Sequence, residues 1–150
     1  MVDPNPAPHP AASGAGAGAG DARPAGRGFG IVLVALYALF ALAATGRASY
    51  QLISEFSKAP VAYLLSALAA VIYLVATVAL ARDDRTSLRV AKAAISVELV
   101  GVLLVGLLSY LAPADFPDKT VWSHFGSGYG YVPLVLPVLG LLWLRRTRRS

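Results

Sequence analysis

Residues 59–81 read APVAYLLSALAAVIYLVATVALA and contain no charged residue. A helix that crosses a bilayer core of about 30 Å needs about 20 predominantly apolar residues, so this stretch is long enough. Pro60 stands in the first turn of the predicted helix, where its missing N–H does no harm. Arg82 follows the last apolar residue. The stretch therefore predicts a transmembrane helix over residues 59–81.

Three further stretches have the same apolar character, and they predict spans at 28–46, 90–112 and 126–144. The first of them is uncharged, and the second contains Lys92 in its first turn and Glu98 further inside it. Four spans joined by short loops predict an all-α membrane domain over residues 28–146, arranged as an up-down four-helix bundle.

The composition agrees with a membrane domain and excludes several kinds of site. Hydrophobic residues make up 57% of the chain and charged residues 14%, whereas soluble domains carry about 25% charged residues. The absence of cysteine excludes disulfides and thiolate metal sites. His9 and His124 lie in different segments, so we expect no haem, no metal and no other cofactor. The net charge of +5 comes from basic residues beside apolar segments, which favours contact with anionic lipid and not with nucleic acid.

Both ends of the chain are predicted to lie outside the bundle. Residues 1–27 are rich in Pro, Ala and Gly and have no periodic apolar face, which predicts a disordered tail. Residues 147–150 form a short basic tail. An alternative treats residues 31–40 as the apolar region of a signal peptide that is cleaved after small residues near position 43. The length of the first apolar stretch favours a span.

Two connections between the spans carry local signals. Apolar residues in the 47–58 loop recur at helical spacing, which predicts either amphipathic turns at the interface or an extension of the first helix. Asp84, Thr86 or Ser87 can cap the third helix.

The basic residues predict an orientation. With four spans, ten Lys and Arg residues lie on the side of the termini and three on the other side. The positive-inside rule then places both termini in the cytoplasm of a bacterial plasma membrane.

Glu98 is the first candidate functional residue, because a carboxyl inside a span should face the interior of the bundle. Ala94 and Gly101 share its helix face, and Thr77 lies at matching depth on the second helix as the expected hydrogen-bond partner. One interpretation is a proton or cation relay. The other is a hydrogen-bonded structural acid, which is favoured because no second titratable group is identified at that depth.

The segment before the fourth span contains the second candidate site. Three glycines at 126, 128 and 130 stand among aromatic residues, so the backbone there can be irregular. The candidate residues of an outer-face site are Arg47, Trp122, His124 and Tyr129. Arg47 could bind an anionic substrate or a lipid headgroup, and the other three could line a binding site. A Gly-rich turn in the membrane interface, with Arg47 paired locally, explains the same residues without a ligand.

Several stretches of the chain are similar to a known family. They are Thr45–Ala48, residues 59–67, residues 121–126, residues 131–137 and residues 143–146. Together they resemble a family of small actinobacterial four-span integral membrane proteins. The resemblance covers residues 29–146, is most specific over residues 122–137, and implies membrane location and four spans. It transfers no site residue.

These patterns favour a non-enzymatic function. The sequence contains no recognisable nucleophile–base pair, paired carboxylates or metal cluster. We therefore expect a membrane subunit or scaffold that packs against a membrane-protein partner or against a second copy within the lipid bilayer. The alternative is a small proton-coupled transporter that uses Glu98.

Overall fold

The protein is all-α in the computed structural model, which describes residues 25–82 and 84–147. The four long helices are α1 (Ala25–Ser54), α2 (Pro60–Arg82), α3 (Arg85–Leu111) and α4 (Val132–Thr147). Short 3₁₀ segments at Pro113–Asp115 and Ser123–Tyr129 connect α3 to α4. Residues 1–24 of the predicted N-terminal tail lie outside the described residues, as do residues 148–150 of the basic tail.

The helices form the predicted up-down bundle. The helix α2 packs against both α1 and α3, whereas α4 packs mainly against α3 and meets α1 over a much smaller area. We call the end that holds the start of α1 and the end of α4 the basic end, because Arg27, Arg82, Arg85, Arg89, Lys92, Arg145 and Arg146 lie there. The opposite end is covered by residues 113–131, which we call the cap.

Three helices are long and apolar enough to cross a membrane: Arg27–Ser54 within α1, then α2, then α3. A fourth span exists only if the 3₁₀ segment Ser123–Tyr129 and α4 are counted together. The chain bends by 98° between those two pieces. Within the predicted span over 126–144, the helix α4 therefore starts six residues later than the span, at Val132.

The break before α4 arises from five residues with positive φ angles. They are His124, Phe125, Gly126, Gly130 and Tyr131, with φ between 51° and 79°. Side chains disfavour this left-handed region, so the right-handed helix cannot pass through it. The 16 residues of α4 extend about 24 Å at 1.5 Å per residue, less than a full hydrocarbon core of about 30 Å.

The first helix is longer than predicted at both ends. It begins at Ala25 instead of residue 28 and continues to Ser54 instead of ending near residue 46. Of the two interpretations of residues 47–58, the extended helix is the one found. Ala48 and Gln51 are both buried on the extension, so packing against the bundle stabilises these extra turns.

The third helix begins five residues before the predicted span, at Arg85. Asp84 is its N-cap, and one carboxylate oxygen accepts hydrogen bonds from the backbone N–H groups of Thr86 and Ser87 at 3.0 and 2.9 Å. The Ser87 hydroxyl donates to the other oxygen at 2.6 Å. The cap satisfies donors that a helix start otherwise leaves unpaired, so the helix extends through the polar first turns.

The core is formed by all four long helices and the cap. The second helix contributes a stripe of small residues, including Ala62, Ser66 and Ala70, all at most 5% exposed. Small side chains let neighbouring helices approach closely. Large buried side chains fill the space between them, among them the tyrosines Tyr37 and Tyr73.

Candidate functional site

Glu98 lies on the inward face of α3 and is completely buried. Ile95 and Val102, three residues before it and four after it, are also 0% exposed, which is the spacing of one helix face. The carboxyl group therefore faces the interior of the bundle, as the sequence predicted. Its predicted neighbours Ala94 and Gly101 are only half-buried, at the edge of this face.

The hydrogen-bond partner of Glu98 is Tyr37 on α1. The Tyr37 hydroxyl donates to Glu98 Oε2 at 2.7 Å, and both side chains are 0% exposed. A typical intramolecular hydrogen bond contributes about 0.5–1.5 kcal/mol to stability. This bond therefore ties α1 to α3 through the centre of the bundle.

Thr77, the partner expected from the sequence, does not fill this role. Its hydroxyl donates to the Tyr73 carbonyl one turn earlier on α2, at 2.7 Å. A hydroxyl inside a helix often satisfies itself in this way, and equal depth in the membrane does not fix the direction in which a side chain points. Thr77 is only half-buried.

A second tyrosine lies beside this pair. The Tyr73 ring centroid is 6.1 Å from that of Tyr37. Trp122 of the cap donates from its indole Nε1 to the Tyr73 hydroxyl at 3.2 Å. A series of side-chain contacts therefore leads from Glu98 through Tyr37 and Tyr73 to the cap.

One oxygen of this cluster is left unsatisfied. Glu98 Oε1 is buried and has no hydrogen-bond partner among the described residues, a condition it shares with Gln51 Oε1. An unpaired buried polar atom costs about 1–3 kcal/mol. Glu98 Oε2 thus accepts a hydrogen bond from Tyr37, whereas Oε1 could still bind a proton or accept a hydrogen bond from a donor.

Sequence reasoning identified Glu98 but missed Tyr37 and Tyr73. Their hydroxyl groups were a usable signal, because polar atoms near the middle of a span need a partner inside the bundle. What the sequence lacked was the rotation of each helix about its axis, which decides whether two hydroxyl groups meet one carboxyl.

The predicted outer-face site is only partly assembled. Arg47 donates to the Tyr129 hydroxyl at 3.1 Å and also to the backbone carbonyl of Lys119. These bonds connect α1 to the cap. The Arg47 guanidinium is thus bonded to cap residues 82 and 72 positions away in the chain.

Trp122 and His124 both pack against α3. Trp122 is 2% exposed and packs into the core over Gly101, where a Cβ atom would lie 2.6 Å from Trp122 Cζ3. The His124 ring packs edge-on against Tyr110 of α3, with centroids 4.7 Å apart. Of the four candidate residues, a hydrogen bond joins Arg47 and Tyr129, while Trp122 and His124 have these contacts with α3.

A reciprocal turn holds Trp122 in position. Thr120 N–H donates to Ser123 Oγ at 2.8 Å, and Ser123 N–H donates to Thr120 Oγ1 at 3.0 Å. Both residues are buried. A second contact anchors the cap to α2, since the Tyr63 hydroxyl donates to the Asp118 carboxylate. The cap is therefore a packed structure that covers one end of the bundle.

The described residues contain no group of three or more His, Cys, Asp or Glu side chains that could hold a metal ion. The buried carboxyl among the described residues is that of Glu98, which lies beside tyrosines. A carboxyl can accept hydrogen bonds or carry one proton. No protein-family model, curated protein or solved structure matches the chain.

Proposed function

We propose that this chain is a small non-enzymatic integral membrane protein that acts by packing, as a membrane subunit or scaffold. The observation that carries the proposal is the closed polar core: Glu98, Tyr37 and Trp122 are each at most 2% exposed and are bonded to other parts of the same chain. Such groups stabilise a rigid bundle.

The exposed faces of the helices are suited to contact with other apolar partners. Along α2 the exposed large side chains are Val61, Leu64, Leu68, Val71, Leu74, Val75 and Val78. All of them except Leu74 form a stripe spaced alternately three and four residues apart, which is the spacing that packed helix pairs use. This stripe supports docking of a second transmembrane helix, from another protein or from a second copy.

The test is purification of the tagged full-length protein from native membranes in mild detergent, with intact-mass analysis of the bait. A photo-crosslinking residue at Leu68 samples the α2 stripe, and the same residue at Leu42, an exposed position on α1 outside any such stripe, is the matched control. We expect a stoichiometric protein adduct from Leu68 and lipid adducts from Leu42. A solitary full-length species without protein adducts contradicts the proposal.

A second function, proton-coupled transport, is favoured by one observation: the unpaired Oε1 of Glu98. A carboxyl with one held and one open oxygen can take up and release a proton. In this alternative, Glu98→Gln abolishes proton movement in proteoliposomes that contain a pH-sensitive dye, whereas Glu55→Gln, at an exposed site near the cap, does not. Under the packing proposal, neither variant changes the complex recovered from native membranes.

We propose in addition that the basic end faces the cytoplasm of a bacterial plasma membrane. In the described part of the chain, the basic end carries seven Lys or Arg residues, whereas the capped end carries Arg47, Lys58 and Lys119 beside three acids. Because the chain has no cysteine, single cysteines report its topology cleanly. An impermeant maleimide applied to intact cells should label Ser57→Cys at the capped end and spare Thr86→Cys at the basic end; the reverse pattern refutes this orientation.

A further inference from the structure

The small contact area between α1 and α4 leaves a groove at the basic end of the bundle. Its volume is about 1060 Å³, at the upper limit of ordinary ligand pockets, which measure about 300–1,000 Å³. Its walls are apolar and include Ile31 and Ala35 from α1, Leu80 from α2 and Leu142 from α4. Ile31 and Leu142 are 63% and 48% exposed, so an apolar molecule in the groove would cover surface that no other part of the described chain covers.

Trp143 forms one wall of the groove close to Gly30. A Cβ atom on Gly30 would lie 2.7 Å from Trp143 Cζ2. The indole ring can therefore lie against the α1 backbone only because residue 30 is glycine. This contact joins α1 to α4 and leaves the remaining width of the groove open.

Two arginines stand at the mouth of the groove. Arg27 comes from the first turn of α1 and Arg146 from the last turn of α4, and both line the groove together with the apolar residues. Both lie at the level of the helix ends, where lipid headgroups lie beside a spanning bundle. The guanidinium group bonds phosphate oxygens in a fixed two-pronged geometry.

We propose that this groove binds an anionic phospholipid, with the phosphate between Arg27 and Arg146 and an acyl chain along the apolar walls. Charge complementarity identifies the occupant, since the charged residues among the described lining residues are Arg27 and Arg146, both basic and both at the headgroup end. A hydrophobic helix from a partner matches the walls but supplies no anion for the mouth. The proposal goes beyond packing as the function, because lipid binding requires no protein partner.

The experiment is native mass spectrometry of the full-length protein in detergent, titrated with phosphatidylglycerol or with phosphatidylcholine of identical acyl chains. We expect one phosphatidylglycerol to remain bound at concentrations where phosphatidylcholine is lost. The double variant Arg27→Gln/Arg146→Gln should weaken phosphatidylglycerol binding by about tenfold or more, because two charge-assisted hydrogen bonds are lost.

The matched control is Arg85→Gln/Arg145→Gln, which removes the same charge from the same end but outside the groove. It should change the affinity by less than about twofold, because exposed charges outside the contact are screened. Ala35→Phe, at an exposed position on the groove wall, should fill the groove and displace the lipid with both arginines intact.

Three results would overturn the proposal. Equal losses in the two double variants would reduce it to general attraction between basic residues and anionic lipid. Undiminished phosphatidylglycerol binding by Ala35→Phe would show that the acyl chain does not lie in the groove. Equal retention of both lipids by the wild type, or a protein in place of the lipid, would assign the groove to another occupant.

Discussion

The Tyr37 hydroxyl on α1 donates a 2.7 Å hydrogen bond to Glu98 Oε2 on α3, which joins two buried residues that are 61 positions apart in the chain. Both side chains are 0% exposed, so water cannot replace either partner. The bond therefore links helix packing to the ionisable group inside the bundle, and it is the first target for mutation.

Tyr37→Phe should lower the free energy of unfolding by about 1–3 kcal/mol, because it leaves a second buried oxygen of Glu98 without a donor. Denaturant unfolding in mixed micelles, followed by far-UV circular dichroism, measures the change. The control is Tyr50→Phe, since Tyr50 is 61% exposed on the same helix. Equal effects of the two variants would show that the Glu98 bond contributes nothing specific.

Gly101→Ala should displace Trp122. The added Cβ would lie 2.6 Å from Trp122 Cζ3, and the ring must move, which breaks its hydrogen bond to Tyr73. In a Trp143→Phe background, where Trp122 is the single tryptophan of the chain, its fluorescence emission should shift to longer wavelength. Gly46→Ala is the control, because nothing lies within 4 Å of its added Cβ; it should leave the spectrum unchanged. An unshifted Gly101→Ala spectrum contradicts the prediction.

Arg47→Gln should loosen the cap, because the guanidinium bonds both Tyr129 and the Lys119 carbonyl. Amide hydrogen exchange over residues 119–131 should become faster. The increase should be about tenfold if the lost bonds contribute about 1.4 kcal/mol to the free energy of local opening of the cap. Lys58→Gln removes a basic residue whose side chain is 66% exposed and pairs with Glu55. Exposed pairs contribute at most about 1 kcal/mol, so exchange in the cap should stay unchanged in this control. Similar exchange in both variants would mean that Arg47 does not hold the cap.

The Asp84 carboxyl should make the stability of the protein depend on pH. Hydrogen bonds from the Ser87 hydroxyl, and then from the Ser87 and Thr86 backbone, hold the pKa of the Asp84 carboxyl below its ordinary value. A lowered folded-state pKa adds stability that is present above the unfolded pKa of about 4 and is lost as the pH falls through the folded value. The free energy of unfolding should therefore decrease below about pH 4 in the wild type.

The comparison for this prediction is Asp84→Asn, which can still accept backbone hydrogen bonds but cannot titrate. The stability difference between wild type and Asp84→Asn should shrink as the pH falls from 6 toward 3. Ser87→Ala removes the strongest contributor and should reduce the same dependence. A difference that is constant over this pH range would disprove the linkage.

The spans and their local boundaries could be predicted because they depend on neighbouring residues. The uncharged stretch 59–81 corresponds to α2 within one residue at each end, and Asp84 caps α3 as one of the residues named for that role. Apolar length decides whether a helix can cross a bilayer, and capping involves residues within one turn. Burial of Glu98 follows from the same solvent argument, since a carboxyl avoids lipid.

Tertiary structure alone decided which groups meet. Tyr37 replaces Thr77 as the partner of Glu98, and Trp122 fills the space over Gly101. The fourth span is broken because the left-handed turn at 124–126 lets Phe125 pack against Gly106 of α3. Each outcome depends on the rotation and separation of helices that are distant in sequence. Hydropathy is summed along one segment, so it fixes the depth of a residue in the membrane but not the direction in which its side chain points.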